Sequence, residues 1–177
     1  MKTSYLFPVL LVTALSCQTK PKQETEASTA TTPADSAALL TSRPAAGAPR
    51  SAADRLVRAL YFEHNKKENP FRETKDRALI DQFFAKPTAD LIWSDTQKSP
   101  KVNRAKTNLL FNAADAVIKK TWVEPAAVAG TKAVVYVTFE NNARAEEIKV
   151  DMQQITGRWR ITDMHYPNGK HLTELLR

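Results

Sequence analysis

From Ser51 onward, apolar residues recur first at helical and then at strand spacing. Ala53, Leu56, Val57, Leu60, Tyr61 and His64 fall three and four apart and share one helical face. Ser51-Ala52-Ala53-Asp54 ahead of them is a capping-box-like start, with an acid in the first turn where the helix dipole favours it. Asn65 to Pro70 end this helix. A second is predicted from Lys75 to Ala85, capped by Thr74, with Leu79, Ile80, Phe83 and Phe84 as its buried stripe. Lys86-Pro87 stop it, and Thr88 caps a third, short helix carrying Leu91, Ile92 and Trp93. The polar stretch 94–107, with Pro100, reads as an irregular excursion.

Beyond it the period changes from 3.6 to 2. Strands are expected at Val117 to Glu124, Lys132 to Glu140, Arg144 to Ile155 and Arg158 to Tyr166, followed by a helical turn from Lys170 to Leu176. Ala129-Gly130, Asn141-Asn142 and Thr156-Gly157 supply three tight turns, because Asn and Gly tolerate positive φ. Short loops between four strands make an antiparallel meander. Helices first and sheet second predict an α+β fold, N-terminal helices packed on a curled four-stranded antiparallel sheet. The covered face is assigned Ala133, Val135, Val137, Phe139, Ile148, Val150, Met152, Trp159 and Ile161, with Trp159 at its centre.

The chain before Ser51 reads differently. Lys2, an apolar run from Tyr5 to Leu15 and then Ser16-Cys17 form a signal segment over residues 1–16, too short for a bilayer span of roughly 20 residues. Thr13-Ala14-Leu15-Ser16-Cys17 resembles a bacterial lipobox, whose cysteine is acylated before cleavage; Ala14-Leu15-Ser16 equally suits an ordinary secretory peptidase. Cys17 is the only cysteine, so no internal disulfide forms and acylation would occupy an otherwise exposed thiol. Residues 17–50, rich in Ala, Ser, Thr and Pro, carry too little apolar surface to offset the entropy of ordering and are expected to be a disordered linker. The predicted organisation is thus signal peptide, lipidated linker, and one domain over 51–177. The expected location is a bacterial envelope membrane, the outer in preference to the inner, with soluble secretion as the alternative.

The formal charge of +7 is spread along the chain, with 21 basic and 16 acidic side chains over residues 51–177. A dispersed surplus lacks the concentrated stripe and aromatic platforms of a nucleic-acid surface, so no nucleic-acid partner is expected.

The segments Leu56-Val57-Arg58-Ala59-Leu60-Tyr61, Lys75 to Leu91, Asn108-Leu109-Leu110-Phe111-Asn112-Ala113-Ala114-Asp115 and Gly157-Arg158-Trp159-Arg160-Ile161 to Tyr166 resemble domain of unknown function 3828. The resemblance covers residues 51–177. It implies a cystatin-like or nuclear-transport-factor-two-like fold in a small bacterial envelope lipoprotein, and no established activity.

Sites of chemistry are sparse. His64, His165 and His171 form no His-x-x-x-His pair, and the four glycines are isolated, so linear spacing gives neither a metal site nor a phosphate loop, and no cofactor is expected. No Gly-x-Ser-x-Gly elbow occurs. Two readings of Asp163 and His165 stay open. In a regular strand they share the face of Trp159 and Ile161 and reach a cavity edge as an acid–base pair; a bulge near Thr162 would turn both outward and Met164 inward. Asp115 is a second candidate carboxylate, or a turn cap. Trp93 and Trp122 are candidate floors of a ligand cleft, or core residues. His64 fits a satisfied boundary residue. Two functions follow. One is a membrane-tethered, non-catalytic module that binds an envelope protein partner or small ligand through its concave sheet face. The other is a pocket enzyme of lyase or isomerase type that uses an Asp with His or Tyr.

Overall fold

A computed structural model describes residues 33–66, 76–97, 108–113 and 118–177. The elements are α1 (Pro33–Thr41), α2 (Ala52–His64), α3 (Arg77–Phe83), α4 (Lys86–Gln97), β1 (Ile118–Val123), β2 (Ala127–Ala129), β3 (Lys132–Asn141), β4 (Arg144–Ile155), β5 (Arg158–His165) and α5 (Leu172–Leu175). Helices precede an antiparallel sheet, the α+β arrangement that the change of period predicts.

The strands lie in the order β1-β3-β4-β5. Because β4 pairs along the whole of β3, β1 and the three-residue β2 share the other edge of β3. A strand as short as β2 is invisible to a period-two pattern, which assigned this stretch to a connection. Asn142 and Ala143, both at positive φ, form the two-residue loop between paired Asn141 and Arg144, one position later than expected. Thr156 and Gly157 join β4 to β5 with the same pair of signs, as primed hairpin turns require.

Alternation puts Ala133, Val135, Val137, Phe139, Ile148, Val150 and Met152 on one face, all buried against Val57 and Leu60 of α2, Ile80 and Phe83 of α3, and Ala89 and Ile92 of α4. Truncating a side chain such as Ile148 to alanine there would cost about 2–5 kcal/mol. Trp159 departs from the expectation. It is on the core side, but pairs with Gln154 near the hairpin end and is only partly buried, so Met152 and Ile161 hold the position assigned to it.

Helix starts differ in detail from the pattern. Ser51 caps α2 with a full capping box: Asp54 N donates to Ser51 Oγ at 3.3 Å, and Ser51 N donates to Asp54 Oδ1 at 2.7 Å. For α3 the cap is Asp76, whose carboxylate accepts from Ala78 N and Leu79 N, and not Thr74, which lies outside the described residues. Pro87 sits inside the first turn of α4, where its missing N–H costs nothing.

The largest correction concerns the linker. Where composition predicts disorder through Arg50, Pro33–Thr41 forms α1, which packs on β2 and β3. Ala127 and Val134, on the sheet face opposite the core, are buried at that end. Arg43 then bridges Glu124 and Glu147 with its guanidinium 4.2 Å from the centre of the Tyr136 ring. Composition misjudges this stretch because the apolar area that orders it belongs to the sheet.

Residues 108–113 close one end of the core. Asn108 N donates to Ala113 O, Phe111 N and Asn112 N donate to Asn108 O, and Asn112 takes φ of 50°. Tyr61 Oη donates to Leu110 O at 3.1 Å and Tyr166 Oη to Leu109 O at 2.6 Å. Burial pushes both phenols above their ordinary range, with a smaller push from Tyr166 on Tyr61 and from Asp163 on Tyr166.

Candidate functional site

Strand β5 carries one irregularity, and it decides where the candidate acid and base point. Met152 pairs with Ile161 but Asp151 pairs with Asp163, so Thr162 is an extra residue in β5. The bulge is held from two sides: Thr88 Oγ1 of α4 donates to Thr162 O at 2.6 Å, and Thr162 Oγ1 donates to Asp151 O at 3.0 Å. Next to it, Ala85 N donates to Ile161 O at 2.8 Å, so the α3–α4 connection covers the outer edge of β5. The bulge flips the alternation. Met164 turns into the core opposite Val150, while Asp163 and His165 face outward, which settles the choice left open by the sequence.

Outside, Asp163 and His165 meet partners that the linear sequence did not single out. His165 Nε2 lies 2.6 Å from Asp151 Oδ2, and Lys149 Nζ lies 3.1 Å from Asp151 Oδ1. A tight turn at Tyr166–Lys170, with Gly169 at φ of 77°, folds the chain back and pairs His171 with His165. Their ring centres are 4.1 Å apart. His171 Nδ1 stands 3.5 Å from Asp163 Oδ2. Three donors fix the Asp163 carboxylate: Met164 N, Thr173 N and Thr173 Oγ1, at 2.9–3.1 Å. All four side chains are partly exposed, on the face away from α2, α3 and α4. A pocket acid–base pair is therefore not what these residues make. The concave sheet face, proposed as the binding surface, is itself the core, filled by α2, α3 and α4.

At the opposite edge of the sheet, Trp122 on β1 is the exposed one of the two candidate tryptophans. A bulge between Lys119 and Trp122, with Lys120 at φ of 50°, sets Trp122 opposite Thr138, on the face away from the core. It is 50% exposed. The guanidinium groups of Arg50 and Arg58 stand 5.4 and 5.3 Å from its ring centre, within cation–π range. Both arginines donate to Val123 O, on the unpaired edge of β1. Arg58 is steadied by the buried carboxylate of Asp54. One turn along α2 from Arg58, Phe62 is 67% exposed, with Lys66 Nζ 5.4 Å from its ring. Trp93 is partly buried against the core.

His64 is buried, as a boundary residue should be. Its Nδ1 lies 3.0 Å from Asn65 Oδ1, its Nε2 meets the Asn108 amide, and its ring packs edge-on to Phe111. Cys17 and Asp115 lie outside the described residues. Among the described residues, no helix is long and apolar enough to cross a membrane.

No family model matches the chain, and no curated protein does. Among solved structures, a chain of the type VI native effector–immunity complex Tae3–Tai3 from Ralstonia pickettii is similar at a TM-score of 0.41 and 19% identity, covering 65% of this chain and 93% of that one. The phospholipid-binding protein from Ralstonia solanacearum, solved with a phospholipid, is similar at 0.34 and 16% identity, covering 68% of each chain. Neither likeness is close enough to carry an argument about what this chain does.

Proposed function

We propose that this chain is a bacterial envelope lipoprotein of the domain of unknown function 3828 type, anchored through lipid on Cys17, whose α+β module is a non-catalytic binding module for a protein partner. The observation that carries the binding role is Trp122, half-exposed with the guanidinium groups of Arg50 and Arg58 within cation–π range of its ring, and with exposed Phe62 one helical turn along α2 from Arg58. Tryptophan and arginine dominate the energetics of protein interfaces, and a tryptophan whose flanking cations are already placed loses little freedom on docking. The rival pocket enzyme loses its best pair, since Asp163 and His165 point away from the core.

A photoreactive residue at position 62 of the membrane-tethered chain should yield a discrete protein adduct, and Trp122→Ala should reduce it by roughly 30-fold, the loss of a typical hot-spot residue. The same photoreactive residue at exposed Ile155 should give none. Equal adducts at both positions, indifferent to Trp122→Ala, would remove this surface from consideration. For the anchor, Cys17→Ser should move the chain from the detergent phase to the aqueous phase; identical partitioning of both chains would leave plain secretion.

A further inference from the structure

From the cluster on the outer face of β4 and β5 we infer a binding site for a first-row divalent transition metal, zinc in the first instance, with Asp163, His165 and His171 as its protein ligands. One ligand atom from each of these side chains can be chosen so that all three lie within 4.8 Å of one another. A tetrahedral zinc with bonds of about 2.0–2.2 Å keeps its ligand atoms roughly 3.3–3.6 Å apart. The 3.5 Å between His171 Nδ1 and Asp163 Oδ2 already has that spacing, and side-chain rotation closes the remainder. Two imidazoles with a carboxylate are a borderline donor set, suited to zinc and its neighbours and poorly suited to calcium or magnesium, which want oxygen. Asp151 Oδ2, 2.6 Å from His165 Nε2, is placed either to complete the coordination or to orient that ring from behind.

A plainer role for Asp163 is to cap α5 across the chain, through Thr173 N. That role uses one carboxylate and no imidazole. It does not call for two histidine rings at 4.1 Å, each beside a carboxylate, on a turn whose return also buries Leu172 and Leu176. The same Thr173 also donates its hydroxyl to Asp163 Oδ2, the oxygen nearest His171, and so orients a ligand as outer-shell groups do in metal sites. Rigid elements carry all three ligands: Asp163 and His165 are on β5 next to the pinned bulge, and His171 is the N-cap residue of α5. The inference is independent of the partner surface, which is at the other edge of the sheet.

The test is calorimetric titration of the chelator-treated full chain with zinc chloride, together with the visible spectrum of the cobalt(II) form. One equivalent should bind, the melting temperature should rise with free zinc, and cobalt should give the intense visible bands of a four-coordinate site. His171→Gln and Asp163→Asn should each weaken zinc binding by more than about 100-fold, beyond the 10- to 100-fold typical of outer-shell changes. His171 makes no side-chain cap bond, so His171→Gln spares α5, and metal-free melts of both variants check their folding. A His64→Gln chain should bind as the parent does. Binding that is weak, exceeds one equivalent, or is indifferent to His171→Gln and Asp163→Asn would overturn the site. Partner crosslinking at position 62 without zinc binding would sink this inference and leave the proposed function standing; zinc binding without crosslinking would do the reverse.

Discussion

His64 and the His165–His171 pair are set in opposite ways. His64 is buried with both ring nitrogens against side-chain amides, those of Asn65 and Asn108, and with its ring in a T-shaped contact with Phe111. His165 and His171 are partly exposed and face the carboxylates of Asp151 and Asp163. An amide offers a donor and an acceptor but no net charge, so it fixes a ring without inviting anything else in. A carboxylate beside an imidazole offers anionic oxygen and aromatic nitrogen together, an arrangement a cation can share. One residue type therefore serves here as mortar in the core and as an open ligand set on the surface, and its neighbours decide which.

The largest effect should come from breaking the core socket. Asn108 accepts from Leu110 N through Oδ1, meets His64 through Nδ2, and is almost fully buried. Asn108→Ala should cost about 2–4 kcal/mol in a denaturant melt, because it strands a buried N–H and a ring nitrogen at once. A cost equal to that of a surface substitution would mean the socket is no more structural than the surface pair.

A smaller effect separates the two regions by pH. Tyr61 and Tyr166 pin residues 108–113, and their folded pKa values are raised, first by burial. The protonated form is the one that folding favours. Their contribution is full below the unfolded value near 10 and declines as pH rises above it, because the unfolded phenol then releases a proton that the folded one keeps. Thermal melts should show this alkaline loss, and Tyr61→Phe or Tyr166→Phe should flatten it while costing about 1–2 kcal/mol at neutral pH. An unchanged alkaline slope in both variants would assign the loss to other groups.

Next in size is Thr88→Val, which removes the donor to Thr162 O and should cost about 1 kcal/mol. Its sharper readout is on the surface: with the bulge loosened, the NMR signals of His165 should shift while those of His64 stay. The smallest effect is expected from His171→Ala in metal-free buffer, within about 0.5 kcal/mol of the parent, as for a surface residue without a cap bond. A loss as large as that of Asn108→Ala would turn the surface pair into a second structural socket.

The fold class was legible because the two hydrophobic periods are clean. Val135, Val137, Ile148 and Val150 are buried as alternation requires, and Ser51 with Asp54 forms the capping box that its spacing announces. Trp159 was misplaced along the strand rather than across it, since alternation identifies a face and says nothing about distance from a hairpin end. Thr162 is the kind of residue a period misses. A single insertion reverses every side chain after it, and what stabilises it, Thr88, comes from 74 residues away. Asp151 and His171 joined the surface cluster for the same reason, through strand pairing and a turn. The Asp163-x-His165 step followed six residues later by His171, across the turn signal Pro167-Asn168-Gly169, was the trace of it in the sequence. Trp122 was legible as an aromatic and not as an exposed one, because a bulge in β1 breaks the alternation just before it and its two arginines come from a separate segment.

The docking of α1 also resets a length. For a chain held at Cys17, a module whose order began at Ser51 could stray at most about 120 Å from its anchor at roughly 3.5 Å per residue. Because α1 and Arg43 fasten the segment from Pro33 onward to the sheet, the limit falls to about 55 Å. For a chain so held, halving the radius would cut the largest volume within reach by roughly tenfold, and would raise the effective concentration of a membrane-held target by a similar factor. In a chain so held, undocking α1 would restore the longer limit without altering a single residue of the proposed partner surface.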